Sequence, residues 1–63
     1  MTYVIYTVPD PDMTGSLVKI TTKEAIRRQR VAGRQVRGYD PYVTDEAALQ
    51  DFIDIHWAQV VEE

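Results

Sequence analysis

A chain of 63 residues with no cysteine and a formal net charge of −3 leaves room for one domain and excludes disulfides and thiolate metal sites. A domain this small buries only about 60% of the surface its unfolded chain exposes, so support from a partner chain is expected. No run approaches the ~20 apolar residues of a membrane span, and residues 1–8 lack the basic start and small-residue cleavage site of a signal peptide, so a cytoplasmic protein without membrane contact is expected.

The first predicted element is a strand over TYVIYTV, Thr2–Val8, β-branched and aromatic almost throughout. Alternation places Tyr3, Ile5 and Thr7 on one face and Val4, Tyr6 and Val8 on the other. Both faces are largely apolar, which predicts cover on both sides. Pro9, Asp10, Pro11 and Asp12 break the strand, Gly15 and Ser16 add a second turn signal, and residues 17–20 resume it. The pair reads as a β-hairpin with a long acidic loop.

Thr21-Thr22-Lys23-Glu24 has the form of a capping box, with Thr21 as N-cap and Glu24 reaching back to it. A helix is predicted from residue 23 to about 37, with Gly38 in the left-handed position that ends it. Gly33 either stops this helix early or admits a close neighbour. Ala25, Gln29, Ala32 and Val36, flanked by Ile26, form its predicted inner face. Tyr39, Asp40, Pro41 and Tyr42 form a turn. Thr44 is then a good N-cap, with Asp45 and Glu46 favourably set against the helix dipole. The second helix is predicted from residue 45 to about 61. Leu49, Phe52, Ile53, His56, Trp57 and Val60 follow helical spacing on it, and Ala48, Ile55 and Val61 widen the apolar arc. Only Asp51, Asp54, Ala58 and Glu62 form a clear solvent strip. So wide an arc predicts self-association through those six residues. The expected fold is α+β, a single domain over residues 1–63 in the order ββαα, assembled as a homo-oligomer.

Charge is segregated along this frame. Residues 19–37 carry seven basic side chains against Glu24 alone, and residues 38–63 carry seven acidic ones. Lys23, Arg27, Arg30, Arg34 and Arg37 recur at intervals of four, three, four and three, which stacks them along one stripe of a helix. Guanidinium groups in a row suit carboxylates, phosphates or a nucleic-acid backbone. The plain alternative is a solvated face paired with the acidic second helix. Tyr39 and Tyr42, in the loop after the stripe, are candidates to stack on a base, or simply clamp the turn, as Tyr3 or Tyr6 would pack in the sheet.

Catalytic chemistry finds no support. His56 sits among apolar residues with no nucleophile to serve, and it has no second histidine with which to hold a metal. Asp51 and Asp54 lie on the solvent strip, where solubility is the expected role. The three glycines are too scattered for a phosphate loop. A helix-turn-helix reader would need its basic helix second, not first. No cofactor is implied and an enzyme is not expected. In size and simplicity the chain is similar to the small single-domain accessory proteins that phages and mobile elements encode to bind host factors. Two binding modes follow. One is an antagonist or regulator that sequesters a nucleotide or other anionic ligand at a subunit interface through the arginine stripe, Tyr39 and Tyr42. The other is a protein–protein module that inhibits a host protein through its acidic, apolar C-terminal helix. The net negative charge disfavours nucleic acid.

Overall fold

A computed structural model describes residues 1–9, 12 and 15–63. Strand β1, Thr2–Val8, pairs antiparallel with β2, Ser16–Thr21, in the register Val4 to Ile20 and Tyr6 to Val18. The acidic loop expected between them falls largely outside the described residues. Helix α1 spans Thr22–Arg37 and helix α2 spans Asp45–His56. The chain ends in a third strand, β3, Gln59–Glu62, paired antiparallel with the free side of β1. The sheet order is β2-β1-β3, and the chain is α+β in the order ββααβ.

The third strand corrects the expected ββαα order. Helical spacing of apolar residues continues past residue 56, but α2 stops there. Trp57 takes the left-handed conformation (φ 54°, ψ 40°), and the Ala58 amide donates to the Ile53 carbonyl, 3.0 Å away. This is the usual hydrogen bonding of a helix C-terminus, achieved with a tryptophan where glycine is normal. Val60 then lies opposite Val4 and Val61 opposite Tyr3. The central strand gains a second ladder in place of about one and a half further helical turns. The chain ends meet, with the Met1 ammonium donating to the Glu63 carbonyl and the Glu63 amide to Met1.

The local stop and start signals act as read. Thr21 Oγ1 accepts from the Glu24 amide at 3.1 Å, Gly38 caps α1 with φ 81°, and Thr44 Oγ1 accepts from the Ala47 amide at 3.2 Å. The reciprocal half of the capping box differs, since the Glu24 carboxylate is taken by Arg27 and Arg28 instead. Gly33 does not end α1. A β-carbon there would lie 2.6 Å from Cδ and 2.8 Å from Cγ of Pro41, so glycine lets the interhelical turn seat on the helix.

Both helices lie on one sheet face. Val4, Tyr6, Ala25 and Phe52 form the core, with Val8, Val18, Ile20, Leu49 and Ala58 packed around it. The Tyr6 ring meets Phe52 edge-on at 5.3 Å, and His56 stacks on Phe52 at 4.0 Å. The His56 ring is held by Nδ1–H donating to the Phe52 carbonyl at 2.9 Å. Among the described residues no helix packs on the opposite sheet face, with Tyr3, Ile5 and Lys19, so the helices cover β1 on one side rather than two, and Tyr3 and Ile5 are half-buried. Lys19 sits over the Tyr3 ring there, 4.5 Å from its centre. The Cα extents are 35 × 29 × 15 Å, and the radius of gyration, 12.4 Å, exceeds the roughly 10.6 Å of a compact 63-residue chain. A thin two-layer slab buries few large side chains, and among the described residues Phe52 and Val4 are the largest that are fully enclosed. Among the described residues, no helix is long and apolar enough to cross a membrane.

Candidate functional site

The helical period does bring the stripe together. Lys23, Arg27, Arg30 and Arg34 line one open groove of about 460 Å³ along α1, with Thr22, Ile26 and the first residue of α2, Asp45. Arg37, the fifth member, lines a different groove. The four cations are not equivalent. Arg30 is the most enclosed, its side chain 22% exposed. Its Nη1 donates to Asp40 Oδ2 at 2.8 Å and to the Tyr42 carbonyl at 2.9 Å, and its Nη2 donates to Asp45 Oδ1 at 2.9 Å. Arg30 therefore holds the interhelical turn and the start of α2. Arg27 shares the Glu24 carboxylate with Arg28, which also donates to the Tyr6 hydroxyl at 3.3 Å. Lys23 and Arg34 form no salt bridge with any described residue.

These pairings set the electrostatics. Hydrogen bonds from Arg27 and then Arg28 pull the Glu24 carboxyl down to about 2. The Tyr42 backbone N–H, followed by Arg30, lowers Asp40. Asp40 and then Asp45 raise the Arg30 guanidinium further. With Arg28, which shares Glu24, five cations stand against Glu24, Asp40 and Asp45, two net positive charges. That is far less than the stripe alone implies, and it is concentrated at Lys23 and Arg34. An incoming anion meets two cations without a salt bridge to any described residue, Lys23 and Arg34, one exposed and displaceable guanidinium at Arg27, and an apolar wall at Ile26.

The two tyrosines of the candidate site do not join it. The Tyr42 hydroxyl accepts from Gln29 Nε2 at 2.7 Å and donates to Asp51 Oδ2 at 2.8 Å, so it clamps α1 to α2. Tyr39 is exposed and lines neither groove. Tyr42 lines the second groove, about 400 Å³, with Ala32, Val36, Arg37, Ile55 and His56 among its other walls.

The six residues expected to form an oligomer face are dispersed. Phe52 is 2% exposed in the protomer's own core, Leu49 and His56 pack against that core, and Ile53 is half-buried. Trp57 is 90% exposed at the helix end, and Val60 lies in β3. The expected solvent strip fails at Ala58, which packs on the core. The inner face of α1 is also cut short, because Ala32 and Val36 are exposed. Sequence reasoning missed Asp45 as a groove residue and Asp40 as the carboxylate that fixes Arg30. Asp45 was legible only as a helix-start carboxylate, since its reach to Arg30 depends on how α2 crosses α1. No protein-family model, curated protein or solved structure matches the chain.

Proposed function

We propose that the protein is a small, non-enzymatic binding module that sequesters a phosphate-bearing ligand of nucleotide size in the groove beside α1. The observation that carries this reading is a groove of about 460 Å³ lined by Ile26 and by Lys23 and Arg34, two cations without a salt bridge to any described residue. The volume lies within the roughly 300–1,000 Å³ typical of ligand pockets. Lys23 and Arg34 take the phosphate oxygens. Arg27 leaves Glu24 to join them at little cost, because an exposed pair is weakly held. Ile26 receives the apolar part of the ligand in place of Tyr39 and Tyr42. Arg30 stays fixed and keeps the groove's shape. Such a protein acts by lowering the free concentration of its ligand, in the cytoplasm where nucleotides are made.

Calorimetry with inorganic phosphate, pyrophosphate and mono-, di- and cyclic nucleotides tests this. One nucleotide class should bind, and binding should weaken as salt rises. Lys23→Gln with Arg34→Gln should reduce affinity about tenfold or more, since each hydrogen bond to a charged group contributes roughly 1.5–3 kcal/mol, while the melting temperature stays near wild type. Silence across the whole panel at low salt would sink the reading.

A further inference from the structure

The second groove runs along the other side of α1, away from Lys23 and Arg34, and its apolar rim is uncovered. Val36 is 85% exposed and Ile55 is 63% exposed, and both line the groove with Ala32. The polar groups beneath them are already satisfied. Gln29 donates to Tyr42, Tyr42 donates to Asp51, and His56 Nδ1–H donates to Phe52. No buried side-chain polar atom among the described residues lacks a partner. The groove-lining groups Gln29 Nε2, Tyr42 Oη and His56 Nδ1 thus keep their partners within the protomer when an apolar surface covers them.

Charge identifies the occupant. On the α1 side of the groove stands Arg37, without a salt bridge to any described residue. Asp51 and Asp54 belong to α2, the helix that supplies the other side. Their contacts are to the neutral groups Tyr42 and Gln50. The α1 side of the groove thus carries a cation beside apolar side chains, while α2, beyond its groove-lining Ile55, carries two exposed carboxylates, Asp51 joined to the groove through Tyr42 and Asp54 next to Ile55 in sequence. A two-fold axis through such a patch can lay α1 of each copy on α2 of its mate, so that Arg37 of each copy meets the other's acidic shoulder once and the contact occurs twice in the dimer. The chain supplies its own complement. The thin slab and its small core give such burial a role that the protomer alone leaves unfilled.

We infer that two copies of this chain associate through the groove between α1 and α2, with Val36 and Ile55 at its centre and Arg37 facing Asp54 across the two-fold axis. The surface is separate from the anion groove and does not depend on that site's ligand. Sedimentation equilibrium of the full chain tests it. The wild type should weigh twice the 7.3 kDa of one chain. Val36→Asp and Ile55→Asp should each give a folded monomer, with circular dichroism as the check, because both side chains are exposed within the protomer. Arg37→Asp and Asp54→Arg should each weaken the dimer by about tenfold or more, and combining the two should restore it. Proteins that unfold instead are replaced by Val36→Gln, which keeps the helix and should still weaken the dimer. A monomeric wild type at the highest soluble concentration, a Val36→Gln protein as dimeric as wild type, or a charge swap that restores nothing overturns the inference.

Discussion

The two sides of α1 obey the same 3.6-residue period and have opposite fates. On one side, Arg30 belongs to a stripe that reads as ligand-facing, yet it is drawn inward by Asp40 and Asp45. On the other, Val36 belongs to a row that reads as core, yet it is 85% exposed. The difference comes from α2, which crosses the first helix. Its start, Asp45, lies on the basic side, and its end, Ile55 and His56, lies on the apolar side. Carboxylates are thus delivered to one side, while cover is withheld from the far end of the other. A helical stripe defines which side chains are neighbours, and the crossing element decides which of them are used up.

The crossing rests on Gly33, and the largest effect is expected there. In Gly33→Ala the new methyl meets the Pro41 ring at under 3 Å, and a proline ring yields little. Overpacking costs about 1–3 kcal/mol, against about 1 kcal/mol gained in helix propensity. Thermal melts should show a net loss of about 1 kcal/mol, with weakening on both sides at once, because the Pro41–Tyr42 turn serves Arg30 and Gln29 alike. A variant as stable as wild type would mean that the turn does not seat as described.

A smaller effect, of opposite sign, is expected at the apolar end. Trp57 holds a positive φ that costs a non-glycine residue roughly 1–2 kcal/mol, and its exposed ring recovers little by burial. Trp57→Gly should raise stability by about 0.5 kcal/mol once the greater freedom of glycine in the unfolded chain is subtracted. Anion binding should not change. A lower melting temperature would show that the indole contributes contacts within the protomer.

The smallest effect belongs to the basic side. Glu24 is held below its ordinary carboxyl value, at about 2, and Asp40 is also lowered. A group depressed in the folded state contributes stability that is complete above its unfolded value and fades as pH falls through the folded one. For Glu24 the window runs from 4.5 down to about 2. Melting temperature should drop across that window, and Glu24→Gln should flatten part of the drop. Because Arg27 and Arg28 are exposed, added salt should shrink the difference at Glu24. An unchanged acid limb in Glu24→Gln would show that this carboxylate does not stabilise the fold.

Local chemistry made much of this molecule readable in one dimension. The extent of β1, the Thr21 and Thr44 caps, the Gly38 stop and the shared groove of Lys23, Arg27, Arg30 and Arg34 each depend on residues within a few positions of one another. The amino-acid sequence by itself determined these, because caps, turns and helical neighbours are short-range matters. The third strand was not readable in the same way. Phe52, Ile53, His56, Trp57 and Val60 keep helical spacing, no glycine marks the stop, and the strand's partner is at the opposite end of the chain. The β-branched pair Val60–Val61 was the one local hint. Only the tertiary structure decided that β1 would take a partner on each edge, that Arg30 would become a brace, and that Val36 would stand free. Each of those outcomes follows from contacts between segments far apart in sequence, where burial and charge pairing outweigh local propensity.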